Sequence, residues 1–315
     1  MARARRVGQR RQVSPNCGRS KPRRLFAQPK GRMQSCYSPD ISRNGAIRVM
    51  VFGGAVDKES DEPDWANMRG IADEKHWIEF ISRVGGELVA PHIKRQGVKN
   101  ADFMFRDARV VLELKVVVTE LAHSEQMLAK VDALSAQFPD GLSDPRLRRE
   151  LFSILRAPLK RILKTANRQI RETKQELGLV GWRGLIVLVN DGFKGAPPDL
   201  VMGLVSSIMA NESYSSCDGL VYQTNHLVEL QDSPYANWLW VPMYNPRKTN
   251  DFVEFVNHIG RKWRGFHEEI EGPFEYSAEQ ETADFSNSYV VDGPTRHERY
   301  VEPEQVANEK SPSGR

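Results

Sequence analysis

Apolar residues recur at helical spacing between positions 71 and 84, and this pattern predicts the first helix of the chain. The positions that repeat are Ile71, Trp77, Ile78, Ile81 and Val84. Two successive glycines, Gly85 and Gly86, come next and predict the end of the helix. The pattern therefore indicates one helical face that packs against a sheet.

Three short apolar segments follow this helix and predict strands. They are residues 87–91, residues 101–106 and residues 109–118. The third segment is rich in β-branched residues, which favours a buried strand. Because only Asp107 and Ala108 separate the second segment from the third, these two strands are predicted to form a hairpin.

The next part of the chain alternates between helix and strand. Residues 120–138 are predicted to be helical, and a long amphipathic helix is predicted from the residue after Pro158 to Leu177. The fully apolar segment 184–190 then predicts a strand. The sequence thus predicts an α/β fold with a mixed central sheet and a core of order αβββαβ over residues 71–190.

Four further elements are predicted on the carboxyl side of this core. They are a helix over 200–210, strands over 219–223 and 238–243, and a helix over 252–267. We expect them to extend the same sheet and its helical cover, so that residues 64–270 form one domain. Residues 271–315 are acidic and poor in aliphatic side chains, and they are predicted to form a mostly disordered tail.

Residues 1–63 differ in composition from the rest of the chain and are predicted to be mostly disordered. Residues 1–50 contain 13 Lys/Arg and one acid, which leaves 32 basic and 40 acidic residues for the remainder. Three explanations of this basic segment stay open: an arm that binds nucleic acid, a transit peptide, or a start codon assigned too far upstream, with Met33 or Met50 as the true start.

The composition of the chain fits a soluble globular protein rather than a membrane protein. Of its 315 residues 40% are hydrophobic, enough for a sizeable core, but the longest apolar runs fall far short of the about 20 residues that span a bilayer. Two of the three cysteines, Cys17 and Cys36, lie in the polar leader, so Cys217 alone remains for the folded part. This excludes a disulfide framework, and we expect a reducing, cytoplasmic location.

Two charged residues, Glu113 and Lys115, interrupt the apolar strand predicted over 109–118. The two-residue period of a strand places them on one face. An unpaired buried charge is costly, so we expect these side chains to be paired, exposed at a cleft or bound to a ligand such as a metal with a phosphate. The alternative is an edge strand whose solvated face happens to carry a Glu and a Lys.

Two further acids can lie near this pair. Asp102 is on the preceding strand, and the predicted hairpin can bring its carboxylate beside Glu113. Two carboxylates at the end of a strand suit a hard cation such as Mg²⁺. Helical spacing places Glu74 with Ile78 and Ile81 on the face expected to pack against the sheet, or else Glu74 is a boundary residue that reaches solvent.

Glu74 on the first helix, the segment ELVAP, Asp102 in NADFMF and the triplet ELK resemble the PD-(D/E)XK nuclease superfamily. The layout is similar to that of archaeal-type Holliday-junction resolvases. The resemblance implies a restriction-endonuclease-like core in which Asp102 and Glu113 bind catalytic Mg²⁺, for which Mn²⁺ can substitute. It also implies that Lys115 orients or activates the attacking water and that Glu74 assists the metal site. Ala101 stands where the motif usually has a proline.

The long helix carries a further candidate, Gln169, because related nucleases often place a polar residue of this helix near the metal. An exposed glutamine is the alternative. Two groups of basic residues are predicted to face DNA, although a merely solvated surface would carry them equally well. The group on the long helix is Lys160, Lys164, Arg168 and Arg171, and the group in the loop before Asp102 is Lys94, Arg95 and Lys99.

Together these residues predict a Mg²⁺-dependent endonuclease that hydrolyses phosphodiester bonds in DNA. A nuclease that acts on RNA would differ only in its substrate. The alternative class is a catalytically silent nucleic-acid-binding or assembly protein on the same fold, since a fold does not fix a function. The complete set of Asp102, Glu113 and Lys115 favours the enzyme. No membrane partner is expected, and a homodimer is compatible with the sequence.

Overall fold

A computed structural model describes residues 49–55, 70–71, 74–230, 233, 235–246, 248–274, 276–280, 284–285 and 288–291. These residues form ten strands and five α-helices. The strands are β1 (Val49–Ala55), β2 (Glu87–Leu88), β3 (Phe103–Phe105), β4 (Val110–Val117), β5 (Arg183–Asn190), β6 (Gly219–Thr224), β7 (Val228–Glu229), β8 (Tyr235–Tyr244), β9 (Tyr276–Gln280) and β10 (Tyr289–Val290). The helices are α1 (Glu74–Arg83), α2 (Glu125–Ser135), α3 (Pro145–Glu176), α4 (Pro198–Met209) and α5 (Asn250–Glu271). None of the described helices is long and apolar enough to cross a membrane.

The strands form one mixed, mostly antiparallel sheet. Its order is β10-β7-β8-β6-β5-β4-β3-β2, and β1 pairs with β8 and β9 beside this path. β5 runs parallel to both β4 and β6, whereas the other pairs are antiparallel. The connections between the parallel strands pass through α3 and α4, which pack against each other. β4 therefore lies inside the sheet, between β3 and β5.

Helices cover both faces of the sheet. On one face α1 meets α5, where the rings of Trp77 and Trp263 stack with centroids 3.9 Å apart, and Phe105 of β3 contacts Phe255 of α5. The β4 residues that join this core are Val110, Leu112 and Leu114. Because side chains alternate along a strand, the residues between them point to the opposite face, which α3 covers.

The elements α1, β2, β3, β4, α3 and β5 follow one another in the order that the sequence predicts, and α2 lies within the helix predicted over residues 120–138. The long helix, however, begins at Pro145 and not after Pro158. Asp144 caps its first turn by accepting a hydrogen bond from the Arg146 N–H. Pro158 lies inside the helix, where buried leucines on either side, Leu155 and Leu159, offset the about 3 kcal/mol that an interior proline costs.

The largest departure from the sequence prediction is β1, which lies within residues 1–63. Within this segment, which is predicted to be mostly disordered, Val49–Ala55 form a strand that pairs with β8 on one edge and with β9 on the other. Its seven residues include two adjacent glycines, so no hydrophobic periodicity marked it. The other residues of 1–63 lie outside the described residues.

The predicted acidic tail, residues 271–315, also contains strands. β9 pairs with β1, and β10 pairs with β7. β10 has only two residues and β9 has a mostly polar sequence, so both are stabilised by partners far away in sequence rather than by their own propensity. The sheet therefore extends beyond residue 271 to Val290, and residues 292–315 lie outside the described residues.

Candidate metal centre

Asp102 and Glu113 face each other at the point where β3 and β4 separate. The last paired residues of this hairpin are Phe103 and Leu112, and one step further the same register sets Asp102 opposite Glu113. The Asp102 carboxylate accepts a hydrogen bond from the Leu114 N–H, with 2.8 Å between the nitrogen and Oδ2. The Asp102 carboxylate thus accepts the hydrogen bond that a backbone carbonyl would accept in a continuing strand, and this holds it beside Glu113.

Glu113 is fully buried on the α3 face of β4, with 0% of its side chain exposed. Lys115 lies two residues further along the same face, and its Nζ forms an ion pair with Oε1 of Glu113. The Lys115 side chain is 24% exposed, so the buried face opens to solvent at this residue. The alternative of a solvated edge strand does not hold for Glu113, because β4 has a neighbour on each side.

The electrostatics of this centre disfavour two ionised carboxylates. Burial raises the pKa of Glu113 to about 8, the negative charge of Asp102 adds to this effect, and the Lys115 ammonium opposes it. Burial also raises the pKa of Asp102, while the hydrogen bond from Leu114 lowers it. A cation between the two carboxylates would relieve this repulsion.

Glu74 begins α1, and its charge is among the causes that raise the pKa of Asp102. The amino end of α1 therefore lies toward the two carboxylates. Glu74 itself is exposed, which agrees with the alternative that it is a boundary residue that reaches solvent. The packing face of α1 differs in part from the predicted one. Phe80 is buried together with Trp77 and Ile81, whereas Ile78 is 38% exposed.

The donor set of this centre fits Mg²⁺. Within the described part of the chain, no three or more His, Cys, Asp and Glu side chains converge as a complete metal-binding group. Mg²⁺ is commonly held by one or two carboxylates, with water and substrate phosphate oxygens in the other positions. Asp102 and Glu113 would supply these two carboxylates, and the same oxygen ligands suit Mn²⁺.

Gln169 lies on the side of α3 that faces the chain just before Asp102. Its Nε2 donates a hydrogen bond to the carbonyl oxygen of Asn100, 2.9 Å away. Three neighbours on α3, which sequence analysis missed, also bind this segment: Glu172, Thr173 and Glu176. Their helical spacing from Gln169 is the signal that could have pointed to them, although it does not reveal which segment they contact.

The two predicted basic groups lie on neighbouring elements, because the loop before Asp102 packs along the last turns of α3. Two of their charges are already paired: Arg95 with Glu176 at 3.2 Å, and Arg168 with Glu172 at 3.8 Å. The remaining members are exposed and make no ion pair with another described residue: Lys94, Lys99, Lys160, Lys164 and Arg171. The surface available to a phosphate backbone is therefore smaller than the sequence suggested.

Three tryptophans and two histidines outside this centre lie in the protein interior. Trp238, Trp240 and Trp263 are buried. Burial lowers the pKa of both His226 and His267 to about 4, so these rings are neutral at physiological pH.

Comparisons with protein-family models, with curated proteins and with solved structures find no match to this chain. The chemistry of the centre is therefore inferred from its own residues.

Proposed function

We propose that this protein is a metal-dependent endonuclease that hydrolyses phosphodiester bonds in DNA, and that residues 71–190 form a nuclease core of the PD-(D/E)XK type. The observation that carries the proposal is the cluster of Asp102, Glu113 and Lys115 where β3 and β4 separate. A fully buried Glu beside a second acid and a lysine is costly to a fold that has no use for it.

Each residue of the cluster has a chemical task in this proposal. Asp102 and Glu113 would hold Mg²⁺, which supplies positive charge to the reacting phosphate. Lys115 would donate hydrogen bonds to the attacking water or to the phosphate, and would stabilise the negative charge that develops in the transition state. The exposed lysines and arginines of α3 would bind the DNA backbone and set its position relative to the cluster.

The proposal is tested by a cleavage assay with the purified protein. Plasmid, linear, single-stranded and branched DNA, together with an RNA of the same sequence, are incubated with Mg²⁺, Mn²⁺ or EDTA. We expect cleavage of at least one DNA that requires the metal and is lost in Asp102→Asn and in Glu113→Gln. Asp132→Asn is the matched control, because Asp132 is an exposed acid on α2, and it should cleave like the parent.

Each of the other outcomes would point to a different activity or to a different active site. Cleavage of RNA alone would keep the chemistry and change the substrate. Binding of DNA without cleavage under any condition would overturn the enzyme and leave the catalytically silent nucleic-acid-binding protein. Cleavage that survives both Asp102→Asn and Glu113→Gln would place the active site elsewhere.

A further inference from the structure

Four side chains on one face of α3 bind the segment that leads into Asp102. Counted from position 169, the other three lie three, four and seven residues further on, at 172, 173 and 176, so all four share one face of the helix. The contacts are Gln169 Nε2 to Asn100 O at 2.9 Å, Lys99 N to Glu172 Oε2 at 3.2 Å, Ala101 N to Thr173 Oγ1 at 2.7 Å, and Arg95 Nε to Glu176 Oε2 at 3.2 Å. We call this set the α3 ladder.

The contact of Thr173 is the most buried of the four. Thr173 and Ala101 are both 0% exposed. Ala101 lies beyond the last paired residue of β3, and its N–H donates to the Thr173 hydroxyl instead of to a strand. A buried N–H that loses its acceptor is also cut off from water, so this hydrogen bond fixes the backbone more firmly than an exposed contact would.

The backbone is thereby held on both sides of Asp102. The Asp102 carbonyl oxygen accepts a hydrogen bond from the Val89 N–H, 2.9 Å away, and the Asn100–Ala101 peptide group, one residue before Asp102, donates its N–H to Thr173. The Asp102 carboxylate binds the Leu114 N–H. If the bond to Thr173 is removed, the segment before Asp102 can move away from α3, and the carboxylate loses its fixed position opposite Glu113.

We propose that Thr173 is a positioning residue that sets the Asp102 carboxylate for metal binding by anchoring the Ala101 N–H to α3. The inference rests on the proposed function, because it assigns Asp102 to the metal. Gln169 acts in the same way through the Asn100 carbonyl. α3 therefore has two tasks: its exposed basic face meets the DNA, and the α3 ladder fixes a metal ligand.

The test compares Thr173→Val, which keeps the shape but removes the acceptor, with Thr173→Ser, which keeps the hydroxyl. Thr165→Val is the matched control, because Thr165 lies on the same helix and its hydroxyl donates only to the Arg161 carbonyl. Gln169→Ala is a second test on a half-buried side chain that tolerates truncation more readily. For each variant one measures hydrogen exchange of the Ala101 amide, Mn²⁺ affinity by calorimetry, single-turnover cleavage with Mg²⁺, and DNA affinity in EDTA.

In Thr173→Val we expect faster exchange of the Ala101 amide, and Mn²⁺ affinity and cleavage rate that are about 10- to 100-fold lower, as for other residues that orient a metal ligand. DNA affinity in EDTA should stay within about twofold, because no phosphate-facing charge is removed. Thr173→Ser and Thr165→Val should resemble the parent. Gln169→Ala should change the same quantities in the same direction by a smaller factor.

Two results would overturn the positioning role while the proposed function stands. One is unchanged Mn²⁺ affinity and cleavage in Thr173→Val despite faster amide exchange, and the other is a loss in Thr173→Val that Thr173→Ser does not restore. If Thr173→Val does not fold, an unchanged Mn²⁺ affinity in Gln169→Ala overturns the role. A parent protein that neither binds Mn²⁺ nor cleaves any nucleic acid overturns the proposed function, and the positioning role with it.

Discussion

Glu113 holds a proton more tightly in the folded protein than in the unfolded chain, because its carboxyl is buried beside a second acid. Its pKa rises from the ordinary value of 4.5 to about 8, although the Lys115 ammonium lowers it. Protonation removes the repulsion from Asp102, and a bound cation would do the same. The folded protein thus favours the neutral carboxyl of Glu113, and in the proposed function a bound metal would favour its carboxylate.

The metal-free protein should become less stable as the pH rises toward 8. Between pH 4.5 and about 8 folded Glu113 keeps a proton that the unfolded chain has lost. The stabilisation is therefore complete below pH 4.5 and is lost as the pH rises through about 8, at a rate of up to about 1.4 kcal/mol per pH unit. Urea denaturation in EDTA should show the fall between about pH 7 and 8, where unfolded histidines, whose pKa is about 6.5, are mostly neutral.

Glu113→Gln is the control for this pH dependence, because it is neutral throughout the range. Its free energy of unfolding should change little with pH. Equal slopes for Glu113→Gln and the parent protein would show that the proton is not held by Glu113.

Lys115→Ala should separate catalysis from binding. If Lys115 stabilises charge only in the transition state, the single-turnover rate should fall by a factor on the order of 10² to 10³, while DNA affinity falls far less. The comparison variant is Lys164→Ala on α3, which should weaken DNA binding and leave the rate at saturating DNA nearly unchanged. If both variants cleave like the parent, Lys115 serves only as a partner of Glu113.

At the scale of the elements, local patterns predict the parts of this fold whose neighbours lie close in sequence. The hairpin of β3 and β4 follows from two apolar segments and a short link, and its register brings Asp102 opposite Glu113. The α3 ladder could not be predicted in this way, because Thr173 and Ala101 are 72 residues apart. The sequence does not show which helix covers which segment.

A single carboxylate joins the loops that follow β4 and β5. Oε1 of Glu120 accepts hydrogen bonds from the N–H groups of Ala122 and His123, at 2.7 and 3.2 Å. Oε2 accepts from those of Lys194 and Gly195, at 2.9 and 2.7 Å. Four backbone donors outside the regular elements thus share one acceptor group, and backbone donors need such partners when water is excluded.

Glu120→Ala should lower the free energy of unfolding by about 1–3 kcal/mol, because it leaves these donors without their acceptor. Glu120→Gln should have an intermediate effect, since only one end of its amide can accept. Glu254→Ala, which removes an exposed acid of α5, should change stability by less than about 0.5 kcal/mol. Chemical denaturation measures all three, and a loss in Glu120→Ala no larger than that in Glu254→Ala would contradict the linking role.

At the scale of the whole molecule, one strand of the sheet comes from the amino-terminal part of the chain. β1 follows directly on the residues that carry most of the positive charge, and it lies between β8 and β9. Met50 is buried where α5 crosses the sheet, and a Cβ atom at position 260 of α5 would lie only 1.9 Å from the Cε of Met50. The close approach of α5 to β1 explains why a glycine occupies this position in a long helix.

Two truncations should therefore behave differently. Removal of residues 1–47 deletes 12 of the 13 basic residues in 1–50 and keeps β1, so the free energy of unfolding should stay near that of the parent. If these residues form a DNA-binding arm, the affinity for DNA should fall, and its dependence on salt should become weaker because the protein neutralises fewer phosphates.

Removal of residues 1–57 deletes β1 as well, which leaves β8 and β9 without the strand between them and exposes the apolar surface that α5 covers. This variant should unfold at a lower urea concentration or fail to fold, as circular dichroism and denaturation would show. Equal stability of the two truncations would contradict the place of β1 in the sheet, whereas an unchanged salt dependence after removal of residues 1–47 would rule out the arm and leave the fold as described.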